Sequence, residues 1–354
     1  VGYSPVASGA LNPLALTRYE RTVRETRATM SKNFAVIGVG GYIAPRHLKA
    51  IRETGNALVA AVDPKDSVGL LDQYAFDVRF FTEIERLDRH LEKVKRGPEA
   101  ERIHWVTVCS PNYLHDAHCR LGLRVNADVI CEKPLVINPW NLDALEELER
   151  ETGRRIFTVL QLRVHEKLVE LRNKLLAEPG RVHDVDLTYI TSRGRWYDVS
   201  WKGQPEKSGG VPTNIGIHFF DLLIWLFGGV RSSVVHLSEA RKMGGFIQLE
   251  RARVRWFLSI DTADLPFAPE PGKKTTFRSI TVDGQEVEFS EGFTDLHTTI
   301  YRETLAGRGF GLTDARPSIE LVHAMRTAAI SPATGDVHPA VFKRLGKRQE
   351  VRHG

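Results

Sequence analysis

Three residues, Glu132-Lys133-Pro134, end the apolar run Asp128-Val129-Ile130-Cys131 and stand just before a new helix. A lysine there sits at the carboxyl end of a parallel strand, where open α/β sheets bind ligands. Its ammonium could hydrogen-bond a substrate oxygen, or take its proton once neutral. An isolated lysine after a strand is more often a surface residue. The following proline weakens that reading, because a cis Lys133-Pro134 bond would aim the side chain at one spot.

A second set runs from Gly209 to Asp221, Gly-Gly-Val-Pro-Thr-Asn-Ile-Gly-Ile-His-Phe-Phe-Asp. On a helix, Asn214, His218 and Asp221 fall at i, i+4 and i+7 and would share one face. The other face is apolar, with Phe219, Phe220, Leu222, Leu223 and Leu226. A lone helical histidine is more often structural. Three polar groups on one side of a greasy helix favour a site. No third His or Cys stands at ligand spacing, so the residues predict no metal.

These groups need a cofactor, and the first glycine run supplies its seat. The apolar run Phe34-Ala35-Val36-Ile37 enters Gly38-Val39-Gly40-Gly41-Tyr42-Ile43, and a helix follows. Strand, glycines and helix in that order make a dinucleotide fingerprint, in which Gly40 lets the backbone approach a pyrophosphate. Ile43 occupies the third glycine position of G-x-G-x-x-G. Asp63 ends the second strand, 25 positions after Gly38, where a carboxylate binds ribose hydroxyls and repels a 2′-phosphate. NAD is therefore expected. Ser110, Asn112 and His115 follow the fourth strand and are expected on the nicotinamide side, although many such loops only connect.

The elements that must position these residues form two domains. Short buried strands alternate with helices from residue 33 to 155, which implies a doubly wound parallel sheet. Longer β-rich runs follow at 182–192, 234–241, 246–260 and 277–289, with helices near 166–177, 216–227 and 293–305. They predict an α+β domain over 156–340 on a large, mostly antiparallel open sheet. Residues 1–32 read as an upstream extension or disordered leader, since Met30-Ser31-Lys32-Asn33 precedes the first strand, and 341–354 as a basic tail.

Composition narrows the partners. The 354 residues carry a net charge of +5 with scattered basic groups. That suits an anionic small molecule, and no nucleic-acid motif accompanies it. No stretch reads as ~18 apolar residues in a row, so no membrane span is expected. Cys109, Cys119 and Cys131 lack metal or redox spacing and read as buried thiols of a cytoplasmic protein.

The fingerprint, Glu132-Lys133-Pro134 and the Gly-Gly…Asn-x-Gly-x-His-x-x-Asp stretch together resemble the Gfo/Idh/MocA oxidoreductase family across residues 33–340. Most of that family carries aspartate at position 214. Gly41–His47, Cys109–His118, Leu160–Arg163, Tyr189–Tyr197 and Asp314–Glu320 are similar to one subgroup, the UDP-N-acetyl-2-amino-2-deoxy-D-glucuronate 3-dehydrogenases of surface-polysaccharide biosynthesis. The resemblance implies oxidation of a sugar C3 hydroxyl by NAD, with 2-oxoglutarate recycling the reduced cofactor in several members, and a homo-oligomer. It implies cofactor contacts from Gly38, Gly40, Gly41, Tyr42, Ile43, Asp63, Ser110, Asn112, His115, Glu132, Lys133 and Gln161.

In the expected chemistry His218 or Lys133 takes the hydroxyl proton, and the residues leave both open. Asn214 and Asp221 would position sugar and imidazole. Arg163 would grip the uronate carboxylate bidentately. Arg193 and Arg195, interleaved with Trp196 and Tyr197, suit diphosphate and a stacked uracil, against the plainer reading of a solvated loop. His297 and Tyr301 share a helix face and are expected to line the pocket. Another sugar or polyol dehydrogenase of the family, or a silent NAD-binding sensor, is the competing reading.

Overall fold

The computed structural model describes residues 31–353 except 67, 271–274, 290, 291 and 294. The expected leader lies outside the described residues apart from 31 and 32. Two six-stranded sheets organise the chain.

The first sheet holds β1 (Asn33–Ile37), β2 (Ala57–Val62), β3 (Arg79–Phe81), β4 (Trp105–Val108), β5 (Asp128–Cys131) and β6 (Ile156–Thr158). Their order is β3-β2-β1-β4-β5-β6 and every pairing is parallel. Strands buried on both faces need continuous apolar runs, and β1, β4 and β5 have them. The crossovers are helical: α1 (Ala44–Glu53), α2 (Ile84–Lys95), α3 (His115–Arg124) and α4 (Pro139–Thr152). Strand β6 was expected in the second domain. It pairs with β5, so the first sheet extends past residue 155.

The order reverses between β1 and β4, and there the carboxyl ends open a crevice. The loops after β1, β4 and β5 carry Gly38, Ser110 and Lys133, so topology alone brings them together.

After α5 (Glu166–Leu176) comes the second sheet: β7 (His183–Thr191), then α6 (Ile217–Phe227), then β8 (Val230–Glu239), β9 (Lys242–Leu249), β10 (Ala252–Ser259), β11 (Thr276–Val282) and β12 (Gln285–Glu286). The order is β12-β11-β7-β10-β9-β8, with β7 and β10 parallel and the other pairs antiparallel. The run expected over 246–260 is two strands, because the chain turns at Glu250-Arg251.

Three further helices complete the fold. Helix α7 (Leu296–Leu305) packs back on α1 of the first domain. Helix α8 (Leu312–Thr327) packs on α6, α4 and β6, and so joins both domains. The expected basic tail lies in helix α9 (Pro339–His353), whose Val341 is fully buried in a small apolar cluster with Ile190, Leu237 and Phe257.

The helical run Pro205–Phe227 has the length and mean hydropathy, 1.3, of a membrane span. Of that window 78 % is buried inside the fold, where Phe220 packs edge-on against Trp256 of β10. Cys109, Cys119 and Cys131 are free and buried.

Candidate active site

The cofactor seat is built by close approach. Gly38 has φ +86°, and a Cβ there would stand 2.7 Å from the Ser110 amide nitrogen. Only glycine lets the β1 and β4 loops touch in this way. Asp63 accepts from the Gly40 amide at 2.9 Å and from the Lys65 amide at 2.9 Å. Its carboxylate is therefore fixed at the end of β2, where a Cβ on Gly40 would meet it at 3.1 Å. Ile43 stands at the N-cap of α1 and packs against the core of the first domain. Tyr42 is 88 % exposed. This glycine loop with its acid fits a dinucleotide.

Other expected cofactor residues are tied to protein. Ser110 Oγ bonds His118 Nδ1 at 2.8 Å, and Asn112 donates to the Ser208 carbonyl at 2.9 Å. Both nitrogens of buried His115 face carbonyls, Pro134 at 2.7 Å and Ser110 at 2.8 Å. His115 thus laces the β4 loop to the β5 loop, and its expected cofactor contact gives way to a bracing role. Glu132 is buried too, held by His47 and His297. Gln161, on a one-turn helix after β6, does line the cleft.

That cleft is lined by Lys133, Gln161, His218 and Asp221 on one side and by Ala315, Ser318 and Ile319 of α8 on another. The Lys133-Pro134 bond is cis. Lys133 Nζ reaches the Asn214 carbonyl in a long hydrogen bond of 3.5 Å. Burial lowers the Lys133 pKa to about 8; Glu132 opposes the shift, and Lys202 and Arg193 add to it. Burial, helped by Lys133, also holds the His218 imidazole well below its ordinary range. Desolvation disfavours the imidazolium cation there.

The shared helix face also needs correction. Residues Pro212–Gly216 form a π-helical turn before α6, a feature frequent at functional sites. It takes Asn214 out of the α-helical register, while His218 and Asp221, three residues apart on α6, still line the cleft together. Asn214 Nδ2 donates to the Tyr197 hydroxyl at 2.8 Å. His218 faces the cleft. Both oxygens of Asp221 are taken by Arg163, at 3.0 and 2.7 Å. Arg163 also bonds Asp314 at 3.1 Å and lies over the Phe310 ring. This buried arginine cannot also grip a carboxylate ligand, and Asp221 is not available to orient the imidazole.

His297 and Tyr301 do sit on one face of α7, but behind Glu132 and outside the cleft. Tyr301 is fully buried and bonds His47 at 2.9 Å and Thr107 at 2.8 Å. The loop after β7 is closer to expectation in composition than in contact. Arg193 is half-buried near Lys133, Arg195 is exposed, and Tyr197 is buried. Trp196 is 52 % exposed, with Lys202 Nζ 5.5 Å from its ring centre and 5.6 Å from that of Trp201. Sequence reading missed Lys202. Its signal was a lysine inside Trp201-Lys202-Gly203, an aromatic-cation neighbourhood.

Residues 32–160 match the oxidoreductase family, NAD-binding Rossmann fold, and residues 174–263 match its C-terminal alpha/beta domain. The chain belongs to the Gfo/Idh/MocA oxidoreductase family. It is an oxidoreductase with an NAD-binding Rossmann domain.

Among solved structures, the WlbA (WbpB) dehydrogenase from Thermus thermophilus, with NAD and alpha-ketoglutarate, is 51 % identical. The match covers 87 % of this chain and 99 % of that one, with a TM-score of 0.82. The same dehydrogenase with NAD and UDP-GlcNAcA also aligns at 51 % identity over those shares, with a TM-score of 0.81. Among curated relatives, the D-glucoside 3-dehydrogenase of Escherichia coli is 27 % identical over 39 % of this chain and 40 % of that protein. An oxidoreductase subunit from Amycolatopsis mediterranei is 29 % identical over 56 % of this chain. The match spans about half of that relative, 52 % of its length.

Proposed function

We propose that the chain oxidises the C3 hydroxyl of UDP-N-acetyl-2-amino-2-deoxy-D-glucuronate to the 3-keto sugar, in the making of a surface polysaccharide. The observation that carries this is a cationic pocket beside a base. Lys202 and Arg193 act as like charges on Lys133, which lines the cleft, and Glu132 opposes them. Such a pocket favours a substrate rich in negative charge. The Thermus thermophilus dehydrogenase that holds UDP-GlcNAcA supports the choice of sugar.

NAD, when bound, accepts the two electrons and hydrogen lost from C3. The Gly38–Ile43 loop and Asp63 would hold it. Lys133 takes the hydroxyl proton. Its pKa of about 8 leaves a useful neutral fraction near neutrality, and makes it a stronger base than His218, which burial keeps well below 6.5. Neutral His218 hydrogen-bonds the same oxygen and orients it. Asn214 and Tyr197 form the wall beside Lys133, and Asn214 adds no negative charge near a carboxylate-bearing sugar. Lys202 and Arg193 bind the anionic groups, with Trp196 exposed for stacking on the base.

The dicarboxylate 2-oxoglutarate fits the same cations, and its reduction to 2-hydroxyglutarate would return NADH to NAD. The complex of the Thermus thermophilus dehydrogenase with alpha-ketoglutarate supports that half-reaction. The test is to incubate the protein with NAD, the UDP-uronate and 2-oxoglutarate and to follow products by mass spectrometry. A 3-keto sugar with an equal amount of 2-hydroxyglutarate is expected. No keto sugar, with turnover of a sugar lacking UDP, would move the function to another member activity.

A further inference from the structure

The chemistry above uses Lys133 and His218 and leaves a buried titratable cluster idle behind them. Glu132 Oε1 accepts from His47 Nε2 at 2.9 Å and from His297 Nε2 at 3.1 Å. Its second oxygen accepts from the Lys133 backbone amide at 3.2 Å. His47 Nδ1 is then left as acceptor for the Tyr301 hydroxyl at 2.9 Å, and that oxygen accepts from Thr107 Oγ1 at 2.8 Å. The two imidazoles meet edge to face, 4.9 Å between centres. One direction of donation satisfies every bond in this chain.

We propose that His47 and His297 are positioning residues that hold Glu132 as a permanent carboxylate against the Lys133 amide, so that this fixed charge sets the titration of the reactive lysine. The inference rests on the reading of Lys133 as the proton acceptor. Burial alone would raise the Glu132 pKa, but the hydrogen bonds from His297 and His47 outweigh it and hold it well below its usual range. Burial keeps His47 neutral. A carboxylate so held is charged throughout the working range, and opposes Lys202 and Arg193 at Lys133.

The groups that face the pair come from every surrounding element. Around Glu132 stand His47 of α1, Cys109 after β4, Cys131 of β5, His115 of α3, and His297 and Tyr301 of α7. Around Lys133 stand Glu132, Lys202, Arg193 and His218 of α6. Glu132 is the anion among them that raises Lys133. One donor atom each of His47, Glu132 and His297 lie within 4.8 Å of one another, a spacing that could also suit a metal. The hydrogen bonds account for it without one.

Two readouts test the proposal on the full NAD-loaded chain. Lysines carrying ¹³C-methyl labels are titrated by NMR, with the Lys133 signal assigned by its loss in Lys133→Arg, and the pH profile of turnover is recorded beside it. Glu132→Gln removes the charge, so the Lys133 titration should move to lower pH by about half a unit or more. His297→Phe should move it the same way. His297→Gln keeps an N–H donor and should restore the wild-type position, a rescue that a packing role would not predict. NAD affinity, measured in parallel, confirms that each variant is folded.

A Lys133 titration unmoved in Glu132→Gln overturns the proposal. So does one metal ion per chain in purified protein. If the wild type fails to oxidise the UDP-uronate, the substrate reading falls, while the NMR titration still decides this one.

Discussion

Arg163 and Asp221 form a buried bidentate ion pair, at 3.0 and 2.7 Å, between the one-turn helix after β6 and helix α6. It locks the helix that carries His218 to the edge of the first sheet. The guanidinium also bonds Asp314 at the start of α8, so three elements meet on one side chain. Asp221→Ala should therefore lower the unfolding free energy by about 3–5 kcal/mol, because a buried charge loses its partner. The double variant Arg163→Met/Asp221→Leu should recover much of that loss. Denaturant unfolding checks both, and equal stabilities of the single and double variants would refute the reading.

Lys133→Ala should reduce turnover by at least about a hundredfold, the usual contribution of a positioned base. NAD affinity should stay near wild type, since the loop at Gly38 and Asp63 does not depend on the side chain. Stopped-flow reduction and cofactor fluorescence measure the two separately. Turnover that survives would return the proton to His218.

The pH dependence follows from Lys133. As a base it must be neutral, and its pKa of about 8 lies below the free lysine value. Turnover should rise about tenfold per unit as pH climbs toward 8 and level off above it. His218, held well below 6.5, should add no limb between 6.5 and 8. A single ascending limb is the expected profile. A descending limb through the same pH would mean that the protonated lysine acts instead.

Lys202→Ala should raise KM for the UDP-uronate about tenfold, with a weaker dependence on salt. It should also shift the Lys133 limb to higher pH, since Lys202 is a like charge that pushes the lysine down. A change in KM with no shift of the limb would separate the two roles.

Asp63→Ser should relax the choice of cofactor. The carboxylate that repels a 2′-phosphate is lost, as is its bond to the Gly40 amide. The ratio of kcat/KM for NAD over NADP should fall at least about tenfold, or ~1.4 kcal/mol. An unchanged ratio would place the discrimination elsewhere.

Much of this molecule is legible from residue order. The short apolar runs of β1, β4 and β5, set between turn residues, mark strands buried on both faces. The alternation of strand and helix dictates the crossovers, and so the side of the sheet on which Gly38, Ser110 and Lys133 meet. Asp283-Gly284 marks the turn between β11 and β12, and both residues have positive φ. All of these signals are local.

What sequence could not settle depends on partners far along the chain. Arg163 and Asp221 are 58 residues apart, and each looked free until folding matched them. His47 and His297 reach one carboxylate because α7 packs on α1, a contact that neither helix announces. A π turn set Asn214 off from the face that His218 and Asp221 keep on α6, since one altered turn rotates everything after it. Sequence alone determined the sheet, the nucleotide loop and the lysine that follows β5. The tertiary structure decided which charges stay free to act, because the pKa of Lys133 and the availability of each arginine depend on burial and neighbours.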